Sequence, residues 1–168
     1  MQIPDISLGQ AWGDYDNDGD LDVLMGNKSQ TQLLYENLGA GDFQLDPLGP
    51  VGRPSDDYGI AGWADYDNDG WLDLFLTQGA GLSRMWHNRG DGTLEEVLTG
   101  SPVQEVRGMG MAWGDYDNDG FPDLTVLDGG KVVNWLYRNN LKQVGNTNHW
   151  LKVKLQGLAS NRDGIGAT

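Results

Sequence analysis

The sequence predicts an all-β fold of about three repeats, each a propeller-type blade of four short antiparallel strands. Three observations carry that expectation. One acidic nonapeptide occurs three times, as Asp14-Tyr-Asp-Asn-Asp-Gly-Asp-Leu-Asp22, Asp65-Tyr-Asp-Asn-Asp-Gly-Trp-Leu-Asp73 and Asp115-Tyr-Asp-Asn-Asp-Gly-Phe-Pro-Asp123, with starts 51 and then 50 residues apart. Short β-prone segments flank every copy at matching offsets. Glycine-rich turn signals separate those segments. Four short strands at a period of roughly 40–50 residues are the signature of a propeller blade, so three units make a partial propeller.

The elements follow in order. A glycine-rich strand enters each repeat through Ala11-Trp12-Gly13, Gly62-Trp63-Ala64 or Ala112-Trp113-Gly114. After the nonapeptide comes Leu21-Asp-Val-Leu-Met25, Leu72-Asp-Leu-Phe-Leu76 or Pro122-Asp-Leu-Thr-Val126, short and rich in strand formers. The third strand is Gln32-Leu-Leu-Tyr-Glu-Asn37, Ser83-Arg-Met-Trp-His-Asn88 or Asn134-Trp-Leu-Tyr-Arg-Asn139. Turns at Gly39-Ala-Gly-Asp42 and Gly90-Asp-Gly92 lead to a fourth strand such as Phe43-Gln-Leu45. The expected organisation is repeats over about 1–50, 51–100 and 101–145, followed by a tail over 146–168. Trp12, Trp63 and Trp113 recur in register and are expected to pack between blades, while Trp86 and Trp135 offer a weaker reading as sugar-stacking surfaces. His87 aligns with Glu36 and Arg138, which suggests a variable surface position.

Each nonapeptide puts carboxylates at positions 1, 3, 5 and 9 with glycine at position 6. That pattern suits a hard cation, because calcium takes six to eight oxygens from carboxylates, carbonyls and water. Side chains at alternate positions converge only if the backbone curls, and Gly19, Gly70 and Gly120 permit the positive φ this needs. Position 7 is Asp20, Trp71 or Phe121, an indifference to side-chain type that a backbone-carbonyl ligand predicts. Unneutralised, two such carboxylates about 5 Å apart repel by about 3 kcal/mol at an effective dielectric near 20. Magnesium demands a tighter octahedron and keeps its water. Zinc and copper favour Cys and His, and the chain has no Cys and two His. About three calcium ions, one per repeat, are therefore expected. An EF-hand is excluded by position 12, where Met25, Leu76 and Val126 replace its bidentate Glu, and by glycine-rich flanks unsuited to helices. The cage belongs to a β-hairpin.

The 168 residues amount to about one domain. Formal net charge is −14, which three calcium ions would bring to −8. Nucleic acid is an unsuitable partner, since phosphate binding needs a basic face. No apolar run nears the roughly 20 residues of a membrane span, so no membrane insertion is expected. The start, Met1-Gln-Ile-Pro-Asp5, carries no signal-peptide pattern. Extracellular calcium modules work at about 10⁻⁴ to 10⁻³ M, which favours an exported, cell-surface or periplasmic location. Every abundant acid is explained by a cage, and Asp163 beside Arg162 reads as a turn, so no catalytic set stands out.

The nonapeptides, the entering Ala-Trp-Gly strand and the Leu-Tyr-x-Asn-x-Gly segment resemble FG-GAP/VCBS repeats. Such repeats form calcium-loop-bearing blades in propellers related to the integrin alpha-subunit head. The tail, Asn148-His-Trp-Leu-Lys-Val-Lys-Leu-Gln-Gly157 then Ser160-Asn-Arg-Asp-Gly-Ile-Gly166, resembles the opening of an ASPIC/UnbV domain. The resemblance implies calcium ligands at Asp14, Asp16, Asp18, Asp20 and Asp22; at Asp65, Asp67, Asp69, Trp71 and Asp73; and at Asp115, Asp117, Asp119, Phe121 and Asp123, with position 7 giving its carbonyl. Pro122 departs from the Leu of the other copies and removes a backbone donor, so the third loop is expected to differ slightly. Family propellers close with about seven blades. Three blades imply either part of a longer protein, the favoured reading, or self-association through exposed blade edges in a dimer, ring or fibre. The functional expectation is a non-catalytic, calcium-stabilised extracellular scaffold for a protein or glycan ligand. A self-assembling subunit and a lectin-like module are the alternatives.

Overall fold

A computed structural model describes residues 7–27, 32–46, 60–78, 82–99, 108–128 and 134–148. Among these there is no helix, and eleven strands form three antiparallel sheets. The first blade contains β1 (Ser7–Gly13), β2 (Asp22–Asn27), β3 (Leu33–Asn37) and β4 (Phe43–Leu45), paired in that order. The second repeats the meander with β5 (Ala61–Ala64), β6 (Asp73–Leu76), β7 (Arg84–Asn88) and β8 (Leu94–Glu96). The third has β9 (Gly108–Gly114), β10 (Asp123–Asp128) and β11 (Trp135–Tyr137), three strands among the described residues. Register repeats as well: Trp12 faces Val23, Trp63 faces Leu74 and Trp113 faces Leu124. Each nonapeptide is thus the hairpin loop between the first and second strand of its blade. The expected tail lies outside the described residues beyond position 148, as do Arg162 and Asp163.

The first strands of successive blades lie side by side, β1 against β5 and β5 against β9. Apolar residues of neighbouring blades then fuse into two cores. Tyr15, Leu24 and Leu34 of the first blade meet Leu74, Leu76 and Trp86 of the second. Phe75 and Met85 of the second meet Leu124 and Val126 of the third. The middle blade is therefore covered on both faces, and all four residues of β6 are buried. Its apolar run, without polar alternation, is what a doubly covered strand requires. Full burial of each such side chain contributes about 1.5–3 kcal/mol.

Two of the three register tryptophans pack between blades as expected. Trp63 Nε1 donates to Ala11 O across the first interface at 3.4 Å, and Trp113 Nε1 donates to Gly62 O across the second at 3.3 Å. Tyr15 stacks on Trp63, and Phe75 meets Trp113 edge to face. The approach is close enough that a Cβ on Gly62 would stand 2.4 Å from Met111 Sδ. Trp12 departs from the expectation. It is exposed and meets Phe43 of its own sheet edge to face, and among the described residues no further blade packs against it. Of the two tryptophans considered for sugar stacking, Trp86 is buried in the core.

Candidate metal centre

The three loops share one backbone. Asn17, Asn68 and Asn118 each have φ 58°, and Gly19, Gly70 and Gly120 each have φ 96°. Glycine tolerates that conformation without a Cβ penalty, and Asn is among the few other residues that enter it readily. Pro122 leaves the third loop unchanged in these angles, and its carbonyl accepts from Asn139 Nδ2 at 3.1 Å, as Leu21 O and Leu72 O accept from Asn37 and Asn88. The expected perturbation by proline is absent because position 8 is used through its carbonyl.

Position 9 braces each loop. Asp22, Asp73 and Asp123 are buried. One carboxylate oxygen of each accepts from the amide of Tyr15, Tyr66 or Tyr116 at 3.1 Å. The other accepts from Asn37, Asn88 or Asn139 at 2.8 Å. These bonds tie the start of the second strand to both the loop entry and the third strand. Position 1 folds the turn back: Asp14, Asp65 and Asp115 accept from the glycine amides at 3.1, 2.9 and 3.0 Å. Position 5 accepts from the position-7 amide at 2.8 Å in Asp18, 2.9 Å in Asp69 and 3.1 Å in Asp119.

Carboxylate oxygens of Asp14, Asp16 and Asp18 lie within 4.8 Å of one another, as do those of Asp65, Asp67 and Asp73 and those of Asp115, Asp117 and Asp123. Asp20 is exposed, whereas Phe121 is buried and the Trp71 ring lies over Gly90. Trp71 and Phe121 can offer only a backbone oxygen. Asp14 Oδ1 is buried with no hydrogen-bond partner. Leaving a carboxylate oxygen so placed is costly, and a cation among the loop oxygens is the partner its chemistry fits.

Crowding shows in proton affinity. Burial pushes Asp22 up to about 6 and Asp73 up to about 7, against the backbone amides that hold their charged forms. Asp16, Asp65 and Asp67 are also raised, chiefly by burial and further by the neighbouring carboxylates. A low-dielectric, like-charged pocket disfavours the ionised form unless a counter-charge is supplied.

Three roles escape the sequence reading. His87 is no bland surface position: its Nδ1 is 3.1 Å from Asp73 Oδ1, and Asp67 and Asp69 are within 3.9 Å of the ring nitrogens. At the same repeat position Arg138 clasps Asp117 at 2.6 Å, and Glu36 is raised by burial and by Asp16, Asp46 and Asp18. One register position thus brings a carboxylate, an imidazole or a guanidinium to its loop. Position 4 joins the loops to each other, with Asn17 Nδ2 donating to Gly70 O at 3.0 Å and Asn68 Nδ2 to Gly120 O at 2.9 Å. Finally, Asn88 Nδ2 donates to Tyr15 O and Asn139 Nδ2 to Tyr66 O, both at 2.7 Å, clasping each blade to the one before. The recurrence of Asn at these positions was the available signal.

No curated protein matches the chain. The family model for the FG-GAP-like repeat matches residues 14–76 and 65–126, each match running from one nonapeptide through the next and into the strand that follows it. With most of the chain matched, and with blades and loops arranged as that repeat requires, the protein belongs to the FG-GAP-like repeat family.

Proposed function

We propose that this β-repeat protein is a non-catalytic scaffold, working outside the cell, whose blades are fastened by one calcium ion in each nonapeptide loop. One observation carries the reading: three loops of identical backbone angles each gather carboxylate oxygens within 4.8 Å. The ligand sets are Asp14, Asp16, Asp18 and Asp22; Asp65, Asp67, Asp69 and Asp73; and Asp115, Asp117, Asp119 and Asp123, with the carbonyls of Asp20, Trp71 and Phe121. Bound calcium supplies positive charge that turns carboxylate repulsion into attraction. The chain's own residues supply the frame, since the position-4 Asn side chains link loop to loop and so couple ion binding to blade stacking. Interaction with a protein or glycan ligand is the role such a scaffold serves. The tail's resemblance to the opening of an ASPIC/UnbV domain supports an exported location.

Calcium linkage gives the test. A site at 100 times its dissociation constant adds about 2.7 kcal/mol, so three sites together rival a domain's net stability of about 5–15 kcal/mol. Excess chelator is expected to lower the melting temperature steeply, and calcium, but not an equal ionic strength of sodium, to restore it. An unchanged melt in chelator overturns the proposal.

A further inference from the structure

The three loops share a backbone but not a donor set. At the register position on the third strand, the first blade has Glu36, the second His87 and the third Arg138. A carboxylate offers oxygen and a guanidinium offers no acceptor at all. Among the described residues, therefore, only the second loop meets a nitrogen lone pair; the other histidine, His149, lies outside them.

One ring nitrogen of His87 and one oxygen each of Asp67 and Asp69 lie within 4.8 Å of one another. Both carboxylates accept a backbone amide through Oδ1, Asp67 from Asp69 N at 3.2 Å and Asp69 from Trp71 N at 2.9 Å. Their Oδ2 atoms turn to the imidazole, 3.8 Å from Nδ1 for Asp67 and 3.9 Å from Nε2 for Asp69. Asp73 fixes the ring. Both oxygens of this buried carboxylate accept backbone amides, so it faces Nδ1 at 3.1 Å as an acceptor and keeps the ring hydrogen there. Nε2 is left with its lone pair on the Asp69 side. Tyr66 holds the ring from another direction, edge to face at 6.2 Å. A carboxylate on one imidazole nitrogen, with the other nitrogen presented to further ligands, is how metal-binding histidines are oriented.

We propose that the second loop contains a zinc site formed by His87 Nε2, Asp67 and Asp69, with water as the fourth ligand. Imidazole suits zinc, whereas calcium takes oxygen. Ligand atoms around tetrahedral zinc stand about 3.3 Å apart, given bonds of about 2.0–2.1 Å. The 3.9 Å gap from Nε2 to Asp69 exceeds that slightly, and the exposed Asp69 side chain has room to close it. Neither other loop makes such a site, because Glu36 adds only another carboxylate and Arg138 is held by Asp117 at 2.6 Å. The zinc site stands on the imidazole geometry. Its competition with calcium rests on the reading above, in which calcium uses the same Asp67 and Asp69.

Calorimetric titration of Zn²⁺ into the metal-stripped 168-residue chain near neutral pH tests it. Cobalt(II) serves as a second probe, since its visible absorption intensifies in a four-coordinate site. One zinc per chain is expected. His87→Gln should weaken it by at least about 10–100-fold, the range that loss of even an outer-shell partner costs, and His149→Gln should not. Glu36→His puts an imidazole beside Asp16 and Asp18 and should raise the count to two, a gain that keeps the test open if His87→Gln folds poorly. Calcium added first should weaken zinc binding by the wild-type chain. Zinc binding that is absent, that is equal in wild type and His87→Gln, or that is lost in His149→Gln overturns the proposal, as does a count that stays at one in Glu36→His. Zinc binding indifferent to calcium overturns the competition. Calcium-induced stabilisation of a chain that binds no zinc separates this failure from failure of the calcium reading.

Discussion

Asn88→Ala should be among the most damaging single truncations in the molecule, and the structure says by how much. The side chain is buried and holds three bonds. Its Nδ2 donates to Tyr15 O at 2.7 Å and to Leu72 O at 3.1 Å, and its Oδ1 accepts from Gly90 N at 3.0 Å. Alanine keeps the backbone bond to Asp73 and removes all three. The Tyr15 carbonyl lies at the sealed interface, where an unsatisfied group costs about 1–3 kcal/mol. Leu72 and Gly90 are half-buried, so water can replace their partners at about 0.5 kcal/mol each. The total is about 3 kcal/mol, equivalent to roughly 6–12 °C in melting temperature for a chain of this size. Asn37→Ala is the internal control, since Asn37 makes the same bonds within its blade, to Leu21 O and from Gly39 N, but no clasp among the described residues. It should cost about 1 kcal/mol. Asn139→Ala removes a clasp to Tyr66 O in a less buried setting and should fall between them. Urea titration of the three variants at dilute protein and fixed calcium gives the comparison. Equal losses for Asn37→Ala and Asn88→Ala would mean that the inter-blade bond contributes nothing, and the packing argument would fail.

Two further predictions concern charge at the loops. Arg138 occupies Asp117, so Arg138→Gln should tighten the weakest step of a calcium titration by about tenfold, the effect of one unit charge about 6 Å from a divalent ion in a water-like dielectric; weaker binding in the variant would refute that role. The metal-free protein should lose stability as pH rises. Asp22 and Asp73 titrate near 6 and 7 in the fold, above the ordinary carboxylate value of 3.8. The folded state therefore holds the extra protons between those limits, and the stability they contribute near pH 4 is lost as pH climbs through about 6 and 7. Saturating calcium should oppose this trend, because it binds the deprotonated groups. Melting temperatures in chelator that rise from pH 4.5 to 7 would contradict the assignment.

The order of residues dictates what happens inside a blade. Strand, loop and turn are encoded within short stretches, and the contacts that fix them are local: Tyr15 to Asp22 spans 7 residues and Asn37 to Asp22 spans 15. Periodicity and turn chemistry report on that scale, so the hairpin loops and their convergent carboxylates were legible in the order of residues. What happens between blades emerges from the folded chain. The bonds from Asn17 to Gly70, Trp63 to Ala11 and Asn88 to Tyr15 span 53, 52 and 73 residues. No local pattern records which blade becomes the neighbour. The same Trp is half-buried at 63, where the first blade packs against it, and open at 12, where no blade does among the described residues. His87 and Arg138 looked like ordinary surface variation until the third strand folded back beside the loop and brought them onto its carboxylates. Repetition fixes the parts identically, and position in the stack gives each copy its own surroundings.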